Sequence, residues 1–329
     1  MEVRPEGLYC RPGAFYIDPS RAVDRALITH GHADHARPGH RNVLATPETL
    51  AIMRVRYAER AGERLQPAVY GDPMTIGGVS VRFVPAGHVL GSAQIVLEYA
   101  GARVVVSGDY KRGDDPTCTP FEPVPCDVFV TEATFGLPVF RHPDPAGEIK
   151  RLLESMALFP ERSHALGTYG LGKTQRVIAL LRRAGYDRTI YLHGALVALC
   201  ALYEQFGVPL GAVAPATGMK KADLARELVL APPSAIADRW ARRLADPVVA
   251  AASGWMRVRQ RAKQGGVELP LIISDHADWN ELLRTIDEVE ASEVWVTHGR
   301  EEALILAVEL QGRVGRALNL LGYDEESGE

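Results

Sequence analysis

Four side chains able to bind a metal fall within six residues, His30-Gly31-His32-Ala33-Asp34-His35, directly after the apolar run Ala26-Leu27-Ile28-Thr29. In an extended segment His30 and His32 share a face, while Asp34 and His35 follow as the chain turns towards a helix start. Two donor pairs aimed at neighbouring points indicate two cations. A lone structural zinc would more naturally use thiolates in short pairs, and Cys10, Cys118, Cys126 and Cys200 are scattered with no Cys-x-x-Cys. His88, Asp109 and His298 extend the set, each placed just past a strand-like run. Any one of these histidines alone is an ordinary loop or core residue, but jointly, with a carboxylate available to bridge, they describe a dinuclear metal site. Imidazole dominance makes two Zn2+ the expected cofactors, and the two carboxylates keep Mn2+ as the alternative.

The elements that must hold these groups can be read from β-branched runs and turns. Short strands are expected at Phe15 to Ile17, Ala26 to Thr29, Val79 to Val84, Ile95 to Tyr99, Arg103 to Ser107 and Val128 to Thr131, interrupted by a helix over Pro47 to Ala61. From residue 276 the pattern becomes helix (Trp279 to Glu290), strand (Glu293 to Thr297) and helix (Glu301 to Gly312). Candidate ligands occur in both stretches, so residues 1–134 and 276–329 are expected to form one α/β domain of αββα sheets. Residues 135–275 form an inserted α/β domain with a βαβ rhythm and a small parallel sheet.

In order, Asp18, the His30 to His35 block, His88, Asp109 and His298 resemble the successive motifs of the metallo-β-lactamase fold. That likeness implies one metal on His30, His32 and His88, the other on Asp34, His35 and His298, with Asp109 bridging and Asp18 orienting the ligand loop. A narrower resemblance is to the β-CASP nucleases, which include Artemis and the RNA 3′-end cleavage factors. It rests on Thr131-Glu132-Ala133-Thr134-Phe135, Ser274-Asp275-His276-Ala277-Asp278 and Thr297-His298-Gly299, with the long insertion between the first two. Within that group the wording and compact size are most similar to the bacterial ligase-associated DNA exonucleases. The implied chemistry is phosphodiester hydrolysis by water or hydroxide held between two cations, with His276 as acid at the leaving oxygen and Glu132 orienting it. Asp34 and Asp18 are counted with His276 and Glu132 among the catalytic groups. The resemblance further implies DNA as substrate, in repair alongside a ligase or helicase partner. RNA is the alternative, because DNA-directed members commonly depart from His at the position of His298. A non-catalytic nucleic-acid-binding module is disfavoured by the complete ligand set.

The 329 residues are 47% hydrophobic, enough for well-filled cores, and no apolar stretch approaches the roughly 20 residues needed to span a bilayer. The N-terminus has no signal-peptide character, so a cytoplasmic protein with reduced thiols and no membrane partner is expected. Net charge is −4, but it is unevenly divided: residues 135–275 carry 19 Lys or Arg against 12 Asp or Glu, and the remainder 18 against 29. A basic insert of +7 is suited to a phosphate backbone, and is equally what a solvated surface can carry.

Two further segments invite assignment. Gly167-Thr168-Tyr169-Gly170-Leu171-Gly172-Lys173-Thr174 satisfies the P-loop pattern, and Leu271 to Asp275 could pass for its magnesium-holding strand. Nucleotide hydrolysis is the lesser reading, since Asp275 adjoins His276. A phosphate site at Lys173 and Thr174 survives that demotion. Trp255-Met256-Arg257-Val258-Arg259-Gln260-Arg261-Ala262-Lys263 reads as an extended segment. Trp255, Arg257 and Arg259 then either follow a nucleic-acid strand or form a solvated edge with the tryptophan in the core. Lys111 and Arg112, next to Asp109, are further candidate phosphate contacts, while His40, His142, His164 and His193 are expected to be structural.

Overall fold

The computed structural model describes residues 1–237, 239–299, 301–318 and 320, apart from the side chains of residues 239, 242 and 298. By contacts the chain divides into two compact units, Met1–Arg141 with His276–Glu329, and His142–Asp275.

The first unit begins with six short strands, β1 (Glu2–Arg4), β2 (Gly7–Cys10), β3 (Phe15–Ile17), β4 (Arg25–Leu27), β5 (Asn42–Ala45) and β6 (Arg64–Pro67), paired in that order. β1 to β3 are antiparallel and β3 to β6 parallel. Helix α1 (Pro47–Tyr57) starts where Thr46 Oγ1 accepts the Thr49 N–H, Pro47 presets the first turn, and Glu48 meets the positive helix end. A second sheet opens with the antiparallel run β7 (Met74–Ile76), β8 (Val79–Pro85), β9 (Ala93–Tyr99) and β10 (Ala102–Val106), to which β11 (Val128–Ala133) adds in parallel.

The second unit alternates α2 (Pro145–Leu158), β12 (His164–Gly167), α3 (Lys173–Arg183), β13 (Ile190–Leu192), α4 (Gly194–Gln205), β14 (Val213–Pro215), β15 (Leu228–Ala231), α5 (Pro233–Ala237), β16 (Val248–Ala252), α6 (Arg259–Gln264) and β17 (Leu269–Leu271). Its sheet runs β14-β13-β15-β12-β16-β17 with every neighbouring pair parallel. The central strands β12 and β15 are buried throughout, as a sheet covered by helices on both faces requires. One expectation fails here. Residues 254–264 are not extended: a 3-10 turn over Gly254–Arg257 leads into α6.

The chain then returns to the first unit as α7 (Trp279–Glu288), β18 (Glu293–Gly299), α8 (Glu301–Leu310) and β19 (Val314–Ala317). A reciprocal capping box between Asp278 and Glu281 fixes the start of α7. β18 lies parallel to β11, completing a seven-stranded sheet in the order β19-β18-β11-β10-β9-β8-β7. At the end of this pairing Gly299 (φ +108°) sits so close to the Ala133 carbonyl that any Cβ would collide with it.

Three cores define the layers. Leu27 and Leu44 of the first sheet interdigitate with Phe83 and Ile95 of the second. Ala26 and Val43 point the other way, onto Leu50 and Met53 of α1. On the far face of the second sheet, Val105, Phe129 and Val294 meet Leu282 and Ile286 of α7 and Leu304 and Val308 of α8. Strand alternation produces this αββα order, and each fully buried Leu, Ile or Phe contributes about 1.5–3 kcal/mol to it.

Candidate metal centre

The loops that leave the strand ends carry the donors to one point. His30 Nε2 lies 3.1 Å from His32 Nδ1, which is 3.0 Å from His88 Nε2. Asp109 Oδ2 is 3.4 Å from His30 Nε2, 3.4 Å from His35 Nε2 and 3.8 Å from His88 Nε2. All five residues are buried. Gly108 (φ +56°), immediately before Asp109, packs directly on Thr29, where a Cβ would come within 2.7 Å of its side chain.

This spacing is that of a coordination sphere. For bonds of about 2.05 Å at the tetrahedral angle, donor atoms sit roughly 3.3 Å apart. His30, His32, His88 and Asp109 offer donor atoms that all lie within 4.8 Å of one another. His32 Nδ1 has a single in-plane position, a proton or a lone pair, and cannot hydrogen-bond both His30 Nε2 and His88 Nε2; a shared cation satisfies the three nitrogens together. Asp34 adds a second sign: its Oδ1 is buried without a hydrogen bond, and its Oδ2 is 3.6 Å from His35 Nε2. The donor set therefore fits divalent metal ions, and Asp109 Oδ2 lies 3.4 Å from both His30 Nε2 and His35 Nε2.

Hydrogen bonds on the far side of the rings set which nitrogen is free. Thr29 Oγ1 donates its proton to Asp18 Oδ2 (2.5 Å), so it must accept from His30 Nδ1–H (3.1 Å), and His30 Nε2 keeps its lone pair for the cage. Asp18 also accepts the Thr29 backbone N–H at 2.8 Å and His35 Nδ1–H at 2.8 Å, which turns His35 Nε2 inward. Asp18 does this from a left-handed backbone conformation, φ 44°. Burial, then the neighbouring His35, holds the His30 imidazole neutral, well below its ordinary pKa. For His35 burial works against the charge, but Asp109, Asp34 and Asp18 outweigh it and raise its pKa well above the ordinary value. The carboxylates thus collect positive charge at the place where a cation would supply it.

His276 stands beside this cage. Its Nδ1 is 2.9 Å from Glu132 Oε2 and 3.9 Å from Asp109 Oδ2, and its ring lies 4.5 Å from that of His88. Glu132 is fixed by the Tyr110 N–H (2.8 Å) and the Thr134 hydroxyl (2.5 Å). The His276 side chain retains 16% exposure, against 0–4% for His30, His35, His88 and Asp109, so it is the group at the mouth. Thr29 and Thr134 were not singled out by the sequence reading. Both adjoin a ligand or motif residue, yet no spacing rule marks a hydroxyl whose job is to fix a neighbour's proton. His298 lies in β18, but its side chain is outside the described residues.

The expected phosphate contacts are placed differently. Lys111 Nζ is 2.6 Å from Glu281, and Arg112 is 2.5 Å from Glu288 and stacked over Phe121, so both tie the loop after Asp109 to α7. In the second unit the P-loop-like segment does join a strand to a helix. However, Lys173 is buried in an ion pair with Asp275 (2.5 Å), and Thr174 is bonded to Thr168 and the Tyr169 carbonyl. The lysine and hydroxyl that would hold nucleotide phosphates are committed elsewhere. Trp255 is half-buried beneath Arg261 (4.2 Å), while Arg257 and Arg259 are exposed on the turn and on α6, without the shared side an extended strand would give them. Among the other histidines, Val23 N–H donates to His40 Nδ1 (3.2 Å), His164 pairs with Ser155 (2.9 Å) and His193 caps α4 through Ala195 N–H (3.1 Å).

Comparison with known proteins follows the same lines. Residues 5–193 match the Beta-lactamase superfamily domain. A probable DNA ligase of Opitutus terrae is 28% identical over 304 residues, which is 89% of this chain and 28% of that protein. The RNase J-like protein of Methanocaldococcus jannaschii is 25% identical over 214 residues, 56% of this chain and 51% of its own. The cleavage and polyadenylation specificity factor subunit 3 of Dictyostelium discoideum is 30% identical over 193 residues, 48% of this chain and 25% of its own. The chain thus spans between about a quarter and a half of the length of these relatives. A solved structure of a protein of unknown function from Enterococcus faecalis shares the fold, with a TM-score of 0.59 at 16% identity, covering 91% of this chain and 80% of that one. Among the described residues no helix is long and apolar enough to cross a membrane.

Proposed function

The chain belongs to the beta-lactamase superfamily, and on that footing we propose that it is a metal-dependent nuclease of the β-CASP group that hydrolyses phosphodiester bonds in DNA, as an exonuclease in repair. The observation that carries the reading is the buried cage of His30, His32, His88 and Asp109 with the His276–Glu132 pair at its mouth. His30, His32, His88 and Asp109 would hold one cation, and Asp109, Asp34 and His35, with His298, the second. Zinc suits the imidazoles, and manganese is compatible with the carboxylates. Such ions lower the pKa of water towards neutrality and offset charge building on the phosphate.

The protein's own groups do the rest. Thr29 and Asp18 keep His30 and His35 in the tautomers that present Nε2. Glu132 accepts from His276 Nδ1–H and fixes the ring so that Nε2 is the nitrogen left to carry a proton to the leaving oxygen. As the P–O bond to the leaving oxygen breaks, the proton on His276 Nε2 passes to that oxygen, and the Glu132 carboxylate holds the ring in line throughout.

DNA is favoured over RNA because the match to a protein named as a DNA ligase runs through 89% of the chain, whereas those to the RNase J-like protein and the cleavage factor subunit cover 56% and 48%. The same match supports a DNA ligase as working partner. The second reading, an RNA-processing nuclease, draws on those ribonuclease-named relatives. Matched end-labelled DNA and RNA strands, incubated with zinc, manganese or chelator, decide between them. Metal-dependent shortening of DNA from one end is expected; cleavage of RNA alone would replace the DNA assignment, and cleavage of neither would remove the nuclease.

A further inference from the structure

The strands of the first sheet carry the metal-binding loops at one end, and at their other end they break the apolar pattern. Leu27 and Leu44 face the layer between the sheets, while Ala26, Val43 and Leu65 face α1. Side chains two apart share a face, so Arg25, Asn42, Arg64 and Gln66 belong to the same layer as those leucines. Arg25 is in register with Asn42, and Asn42 with Arg64. Neighbouring strands lie about 4.8 Å apart, so the two arginines are rooted about 10 Å from each other, on either side of one asparagine.

These four side chains line a cavity of about 500 Å³, which Met74 and Ile76 of β7 close from the opposite sheet. No carboxylate lines it, and neither Arg25 nor Arg64 forms an ion pair with any described residue. Two guanidinium groups at the mouth of this layer, half-buried at Arg25 and exposed at Arg64, with no acid lining the cavity, leave positive charge there for an anion to meet. The volume is well above that of one inorganic phosphate and falls in the usual range for small organic ligands. Asn42 Nδ2 donates to the Asp24 carbonyl (2.9 Å), which leaves its Oδ1, with the Gln66 amide, to meet hydroxyl or amino groups.

We propose that this cavity binds a nucleotide-sized phosphomonoester, its phosphate held between Arg25 and Arg64 and its organic body resting on Met74 and Ile76. It is separate from the metal centre: none of its lining residues belongs to the cage of His30, His32, His88 and Asp109. The site would sense or retain a nucleoside monophosphate without taking part in hydrolysis.

Calorimetric titration of the full chain with AMP, inorganic phosphate and adenosine tests this. AMP is expected to bind more tightly than phosphate, and adenosine not to register. Arg25→Gln with Arg64→Gln should weaken AMP by at least about tenfold while metal content stays the same. Asp109→Asn should leave AMP binding in place. Because Arg25 is half-buried, Arg64→Gln alone, at an exposed position, serves as a variant that keeps the fold, and it too should weaken AMP. Unchanged affinity in the arginine variants, loss of binding in Asp109→Asn, or phosphate binding as tightly as AMP would each overturn the proposal.

Discussion

Thr29→Val isolates the hydroxyl that fixes the protonation of His30. Valine keeps the shape of threonine and removes one atom with two hydrogen bonds, the 2.5 Å donation to Asp18 and the 3.1 Å acceptance from His30 Nδ1. Asp18 Oδ2 keeps His35 as a donor, so its loss is one net hydrogen bond, about 0.5–1.5 kcal/mol. His30 Nδ1–H becomes a buried donor without an acceptor, a further 1–3 kcal/mol or so, unless the ring moves its proton to Nε2. That escape blocks the lone pair the cage needs. The metal-free protein should therefore lose up to about 4.5 kcal/mol, and metal affinity should fall by about 10–100-fold. Urea denaturation with and without chelator, together with competition against a chromophoric chelator, reads the two effects separately. Wild-type metal affinity in Thr29→Val would refute the tautomer argument, whatever happened to stability.

Three other outcomes are expected. His276→Ala should keep its full complement of bound metal by elemental analysis while turnover drops by about 10²–10⁴; a loss of metal would make His276 a ligand. Lys173→Met removes the buried 2.5 Å ion pair with Asp275 and should lower stability in urea unfolding, with no ATP heat in calorimetry before or after the change. His40, buried and accepting from Val23 N–H, has its pKa pulled down by burial to about 4. The unfolded chain binds that proton first, so stability should be constant above about pH 6.5, fall by up to about 3 kcal/mol as pH drops towards 4, and level off below; His40→Asn should flatten that slope.

The loops that bring His30, His32, His88 and Asp109 together were legible because each follows an apolar strand, and a polar donor at such a position stands out against Val, Ile and Leu. The αββα order was legible for the same reason. Strand β5, four residues with three buried, is too short for an alternating pattern to show, and β1 and β6 are no better marked. The failures share a cause: the deciding partner was remote. Lys111 and Arg112 read as free cations until Glu281 and Glu288, about 170 residues on, take them up. Lys173 fits a phosphate-binding pattern until Asp275 occupies it. The 255–263 segment misled differently, because alternate arginines imitate a strand while the chain's local preference for a turn and a short helix prevails.

The pairing of β11 with β18 has a consequence for biosynthesis. Roughly 160 residues separate the two partners, so at about 5–20 residues per second the ribosome leaves β11 as a bare edge for some 8–30 s. His276 emerges late in that interval. A nascent chain can thus assemble the first sheet and gather His30, His32, His88 and Asp109 before His276 and the last strands arrive beside them.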